Sequence, residues 1–152
     1  MPEIVINDVT PRIQYTATAG QTIFPYPFAV FAQTDLKVYL TPAGNEPDDT
    51  ADLLVLTTEY TVSGVGAEAG GNVTLVTSAT LNDVVTIERD MPIERSTDFQ
   101  LAGDFLAATL NNELDRVTMM IQQIETIFVT RSSSSFSVAA RKSPASWKSV
   151  ER

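Results

Sequence analysis

The chain has 152 residues, a formal net charge of −9, and neither cysteine nor histidine. These two absences exclude disulfides, thiolate metal sites and imidazole chemistry. The length suits one ordinary domain with an appendage, and a hydrophobic fraction of 43% allows a core. No apolar run approaches the roughly 18 residues of a membrane span, so we expect no membrane insertion.

The charge is distributed unevenly along the chain. Residues 1–130 carry 18 acidic and 5 basic side chains, whereas residues 131–152 have a net charge of +4. The body should therefore repel nucleic acid, and only the C-terminal tail is suited to an acidic partner. The alternative for this tail is a solvated segment with no partner.

Short alternating segments predict the β part of the chain. Residues 1–13 are expected to form an arm or edge strand, and residues 14–18 alternate with small polar residues. Further strands are predicted at residues 35–40, 53–57 with 60–63, 72–76 and 84–89. The strands precede a helix, so the fold class is α+β, with a small antiparallel β meander or sandwich first.

An aromatic cluster interrupted by prolines lies between the first predicted strands. Pro25 and Pro27 exclude a central strand here and favour an edge segment. Two interpretations remain for the rings: a plug for the β core, or an exposed platform for a peptide or sugar. The rings concerned are Phe24, Tyr26, Phe28 and Phe31.

The acidic side chains do not form a recognisable catalytic or metal site. The loop at residues 41–52 lacks the spaced ligands of a calcium loop, so we expect no metal. Glu88, Asp90, Glu94 and Asp98 are close in sequence to arginines, which lower carboxyl pKa values, the wrong direction for a general acid. No glycine-rich loop follows a strand and opens a helix. We therefore predict neither a cofactor nor enzymatic activity.

The helix predicted at residues 104–131 has a heptad pattern. Its apolar residues are spaced by four, three, four, three and four, which is the 3.5-residue period of a coiled-coil seam. β-Branched residues at both a and d positions favour three strands or more, so we predict a parallel trimeric coiled coil. The alternative is a single helix whose apolar stripe packs on its own domain. The seam consists of Leu110, Leu114, Val117, Ile121, Ile124 and Phe128.

Charged residues of both signs are concentrated before and within the start of this helix. Because arginine forms bidentate pairs with carboxylates, they predict a polar network at a subunit seam or docking surface. Asp104 is also placed as a helix N-cap. The predicted network comprises Arg89, Asp90, Glu94, Arg95, Asp98, Asp104, Asn111, Asp115 and Arg116.

Several ordered blocks carry a resemblance to a known family. The run VTIERDMPIERSTDFQ, followed by GDF and LNNELDR, is its most specific part, and the resemblance covers about residues 14–128. These blocks closely resemble the N-terminal virion-attachment domain of podophage tail fibres and tailspikes. The resemblance implies a homotrimer that docks on a tail adaptor or portal-proximal ring protein. It also implies location in the virion tail, after assembly in the host cytoplasm.

The predicted domains are a β-rich attachment domain at 1–103, a trimerisation helix at 104–131, and a serine-rich linker with a basic tail at 132–152. Members of the family continue into a shaft, whereas here only FSVAARKSPASWKSVER follows the four serines. We therefore expect an adaptor that carries a separate fibre or receptor-binding protein. The residues predicted to bind it are Phe136, Arg141, Lys142, Trp147 and Lys148.

Two functions of other classes remain as alternatives. One is a carbohydrate-binding β module that contacts the host surface directly, which requires exposed Phe24, Tyr26, Tyr39 and Tyr60. The other is an assembly chaperone that leaves before the particle matures. Neither alternative requires a trimeric seam.

Overall fold

The structure is a computed structural model that describes residues 9–94 and 106–140, with side chains described through residue 128. It contains six strands, a 3₁₀ turn at Gln33–Asp35 and a long helix. The strands are β1 (Arg12–Thr16), β2 (Ile23–Tyr26), β3 (Leu36–Thr41), β4 (Tyr60–Ser63), β5 (Gly71–Leu75) and β6 (Val84–Arg89), and the helix α1 is Ala107–Ala140.

The strands form two antiparallel three-stranded sheets. The first has the order β1-β6-β3 and the second the order β2-β5-β4. Among the described strands, only β4 and β5 are both consecutive in the chain and paired. Each of the other connections between consecutive strands passes from one sheet to the other. The α+β class is confirmed, but a meander is wrong, because inward-facing apolar residues of both sheets bury one another instead of forming one continuous sheet.

Both sheets contribute to a single principal core. Val38 and Ile87 come from the first sheet, Phe24 and Val73 from the second, and all four are fully buried. The buried Tyr60 hydroxyl donates to the Leu36 carbonyl oxygen at 2.9 Å, which connects β4 of one sheet to the start of β3 in the other. Burial raises the pKa of Tyr60. The two sheets are therefore fastened by apolar contact and by a hydrogen bond from a buried ring.

Three of the four rings of the aromatic cluster belong to this core, whereas Phe31 is half-buried against a smaller apolar cluster. Phe24, Tyr26 and Phe28 are at most 2% exposed, and Tyr26 donates its hydroxyl to the Ser63 carbonyl oxygen at 2.7 Å. Burial raises the pKa of Tyr26 to about 12. The interpretation of these rings as an exposed platform is therefore wrong. As predicted, the proline-containing segment lies at a sheet edge, where the missing amide of Pro25 interrupts no ladder.

One other strand prediction is wrong, and another is only partly covered by the described residues. Residues 53–57 do not form a strand: only single bridges connect Leu53 to Tyr39 and Leu56 to Tyr60, and Thr57 has a φ of 69°. A left-handed residue bends the chain out of the extended path that alternation suggested. Of the predicted N-terminal arm, residues 1–8 lie outside the described residues, and β1 begins directly after Pro11 as an edge of its sheet.

The loop between β4 and β5 approaches β2 closely enough to require glycine. Gly70 has a φ of 75°, and a Cβ atom there would overlap the Tyr26 carbonyl oxygen. Gly66, in the same loop, has a φ of 77° but no heavy atom near the position of a Cβ. Gly70 is thus needed for close approach as well as for its backbone conformation.

Candidate functional site: two faces of the helix

One face of α1 packs on the sandwich through a second, smaller apolar cluster. Met119 is fully buried there with Met91 and Ala29, and Phe31 packs against them. Gln123, one turn later and 4% exposed, accepts a hydrogen bond from the Met91 amide at 2.8 Å. Its Nε2 also donates to the Met91 carbonyl oxygen at 3.3 Å. The helix is therefore docked just beyond the end of β6.

Arg89, the last residue of β6, is the central polar group of this joint. It is 3% exposed and donates to the carbonyl oxygens of Ala29 at 3.0 Å and Met119 at 2.9 Å. It also donates to Gln122 Oε1 at 2.9 Å. Its guanidinium carbon lies 5.9 Å from the centre of the Phe28 ring, within the range of a cation–π contact.

The surroundings of Arg89 differ from the predicted carboxylate pairing. Every hydrogen bond described for its side chain goes to a neutral acceptor, and Nε has no partner. Burial lowers the pKa of Arg89 to about 10, and the nearby charge of Asp35 opposes this shift. Arg89 is therefore charged at neutral pH. The alternation of β6 could have indicated that Arg89 is buried, because Arg89 lies on the same face of the strand as Val85 and Ile87, and all three are buried.

The neighbouring acids and Arg116 connect the sandwich to the helix within one chain. Asp90 pairs with Lys37 and accepts a 3.4 Å hydrogen bond from Gln123 Nε2. Arg116 Nη2 lies 3.7 Å from Glu94 Oε1, and Arg116 Nε donates to the Glu94 carbonyl oxygen at 3.2 Å. These contacts form an intramolecular joint, and the network at a subunit seam or docking surface stays a prediction.

Other members of the predicted network are only partly placed. Asn111 and Asp115 lie half-buried on the first turns of α1, and both take part in polar interactions. Arg95, Asp98 and Asp104 lie outside the described residues, so the N-cap role of Asp104 stays a prediction.

The opposite face of α1 carries the predicted seam, and it is uncovered. At about 100° per residue, Val117 and Ile121 lie about 160° and 200° around the helix from the docked Met119. The helix therefore does pack on its own domain, but through a different face from its apolar stripe. Leu110 is half-buried, and the exposed members are Leu114 at 55%, Val117 at 45%, Ile121 at 60%, Ile124 at 49% and Phe128 at 76%.

The helix is longer than predicted. It continues through the four serines to Ala140, beyond the boundary predicted at residue 131, and the rest of the predicted linker and tail lies outside the described residues. Serine costs a helix only a few tenths of a kcal/mol per residue relative to alanine, too little to end a helix. Of the predicted distal partner site, Phe136 lies within α1, while Arg141, Lys142, Trp147 and Lys148 lie outside the described residues.

The acidic loop covers the outer face of the first sheet. Thr41 Oγ1 donates to Asp52 at 2.6 Å, and Leu40 donates its amide to the Asp52 carbonyl oxygen at 2.9 Å. Beneath this loop is a polar cavity of about 40 Å³, whose lining includes Tyr39 and Glu88. Burial, followed by the charge of Glu88, raises the pKa of Tyr39. No group of three or more acids in residues 9–94 and 106–140 is arranged to hold a metal ion.

The buried acid Asp83 stabilises a turn. Asp83 accepts hydrogen bonds from the amides of Thr80 at 2.8 Å and Ala43 at 3.1 Å. The hydrogen bonds from Thr80 are the main cause of its lowered pKa.

In the part of the chain that the structure describes, no helix is both long and apolar enough to cross a membrane.

Comparison with known proteins adds one relative. No family model matches the sequence. Over 110 residues, 72% of this chain, the sequence is 34% identical to the tail spike protein of Salmonella phage epsilon15. The chain spans about 10% of the length of that protein. This similarity relates the chain to a bacteriophage tail protein.

Proposed function

We propose that the chain is a structural component of a phage virion tail, a trimeric anchor or adaptor that links the tail to a fibre or receptor-binding protein. The observation that carries this proposal is the uncovered heptad seam on a helix whose opposite face is already docked. The relation to a tail spike protein supports the assignment to the tail.

The positions along the helix are compatible with three copies. With Ile121 at a and Val117 and Ile124 at d, β-branched side chains occupy both kinds of core position, which favours three strands over two. In the same register Met119 falls at f and Gln123 at c, on the outside of a coil. Three sandwiches can therefore surround a central coil without competing for the seam.

Attachment would gain its strength from this threefold arrangement. Three linked copies bind the tail adaptor or portal-proximal ring with a raised effective concentration, so modest single contacts add up to a durable attachment. The basic residues beyond residue 131 would bind the second fibre or spike protein. The acidic body fits a role without nucleic acid, and nothing in the proposal requires an enzyme activity, a cofactor or membrane insertion.

Gradient-purified virions provide the decisive test. We expect the protein to cosediment with infectious particles and to be detected there by mass spectrometry. Its absence from finished particles, together with its presence in infected-cell lysate, would end the anchor proposal and favour a transient assembly chaperone.

The carbohydrate-binding alternative has lost its structural basis. Phe24, Tyr26 and Tyr60 are buried, and Tyr39 is half-buried beneath the acidic loop. The anchor proposal expects no specific signal when the soluble protein is applied to a glycan array. A reproducible hit would restore the alternative.

A further inference from the structure

The joint between the sandwich and α1 buries polar side chains beside apolar ones. Its fully buried apolar side chains are Met91 and Met119, whereas the principal core draws on both sheets. Arg89 and Gln123 are also buried in the joint. Arg89 donates to the Met119 carbonyl oxygen of the helix, and the helix residue Gln123 accepts from the Met91 amide. The helix is thus held by directed polar contacts as well as by a small apolar cluster.

Directed contacts specify geometry better than they add stability. Burying the Arg89 guanidinium costs its hydration, and neutral acceptors offset that cost less well than a carboxylate does. Detaching the helix would return Arg89 to water, so opening the joint recovers part of the cost. Contacts of this kind select one arrangement strongly while holding it with a modest net free energy.

The positions of these contacts define how α1 is turned about its own axis. Arg89 binds a main-chain carbonyl at Met119, which sets the height of the helix against β6. Gln122 and Gln123 are consecutive, and their side chains contact Arg89 and Met91 respectively. At about 100° between consecutive residues, two such side chains can engage together in only one rotational setting of the helix.

We propose that Arg89 and Gln123 form a latch that sets the rotation of α1 so that the seam points away from the sandwich, and that this latch opens without unfolding the sandwich. That the seam must point away from the sandwich rests on the proposed trimer. The latch itself lies within one chain and is testable whether or not trimers form. Arg89 is accordingly a positioning residue.

Hydrogen exchange resolves the opening of the latch. The Met91 amide donates to a side chain of the helix, so its exchange reports detachment of α1. In Arg89→Met we expect Met91 to exchange at least about tenfold faster, the factor associated with losing one hydrogen bond to a charged group. Amides within β6 should exchange at the wild-type rate.

Two further variants make this experiment decisive. Arg12→Met is the matched control, because Arg12 pairs with Glu88 at 3.5 Å and is partly exposed on the same sheet, away from the latch. It should change Met91 exchange by less than about twofold. If Arg89→Met fails to fold, Gln123→Met tests the latch from the helix side. Because Gln123→Met removes the acceptor of the Met91 amide itself, its readout is the distance between spin labels on the sandwich and the helix, whose distribution should broaden.

Rotation can be measured separately with spin labels, since the chain contains no cysteine. Nitroxides at Thr61→Cys and Glu125→Cys, both exposed positions, report the distance between sandwich and helix. Labelled chains diluted into unlabelled protein should give one narrow distance distribution, which broadens in Arg89→Met. Three results would each refute the latch: an unchanged exchange rate of the Met91 amide in the folded latch variants, an equal acceleration of amide exchange throughout β6, or an unchanged distance distribution. A monomeric mass with an intact latch would instead count against the trimer alone.

Discussion

Placing a charge in the middle of the seam should abolish assembly while leaving the single chain folded. In Ile121→Asp the altered side chain is 60% exposed in the isolated chain, so the substitution has little effect there. In a trimer the exposed part becomes buried. Taking 60% of the roughly 1.5–3 kcal/mol for full burial gives about 1.4 kcal/mol per chain at the middle of that range, or about 4 kcal/mol per trimer.

A loss of about 4 kcal/mol weakens assembly by about a thousandfold, before the cost of gathering three carboxylates is included. Light scattering over a dilution series measures the mass, with 16.5 kDa for the single chain and about 50 kDa expected for the wild-type trimer. Asn112→Asp introduces the same charge at an exposed position about 180° around the helix and should keep the trimer mass. A wild-type protein that stays at 16.5 kDa at all concentrations, or an Ile121→Asp protein that keeps the larger mass, would refute the reasoning.

Three further substitutions test the joint, the hairpin and the buried acid. Met119→Ala should weaken docking of α1 by about 2–4 kcal/mol through the cavity it leaves, measured as lost amide protection in the helix with β6 protection retained. Gly70→Ala should destabilise the sandwich by more than about 3 kcal/mol in urea unfolding because its Cβ would overlap Tyr26, whereas Gly66→Ala should cost only about 1 kcal/mol. Asp83→Asn should lower stability by about 1 kcal/mol at pH 7. Because the folded-state pKa of Asp83 is lowered, the difference in thermal stability should disappear as the pH falls below the ordinary value of 3.8.

The strands that could be predicted are those whose local pattern agrees with their final environment. Residues 35–40, 72–76 and 84–89 alternate, and each lies within one residue of an observed strand at either end. The edge position of Pro25 followed from a missing donor, a property of the residue itself. The pairing of strands could not be predicted in this way, because alternation defines inward and outward faces but not which strands become neighbours.

The joint shows why the site was harder to predict than the fold. Arg89 is surrounded in sequence by acids, and a pairing with them was the simplest electrostatic expectation. Its place on the inward face of β6 instead directs its hydrogen bonds to the carbonyl oxygens of Ala29, in the segment after β2, and of Met119, in the helix. Gln123 escaped prediction because a polar side chain on the docked face reduced the apolar contrast that identifies a buried helix face.

Because the joint is polar, the docked face and the seam of one helix are chemically different and do not compete for the same surface of the sandwich. If apolar residues replaced Arg89 and Gln123, the docked face of the helix and the seam would both meet apolar surface, and either face could pack on the sandwich. Desolvation makes the present joint selective, because a helix turned by half a revolution would leave buried Arg89 without Met119 or Gln122 as acceptors. In the proposed trimer, the apolar seam gains most from packing against other copies of itself. Specificity at the joint and affinity at the seam are therefore supplied by different chemistry on opposite sides of the same helix.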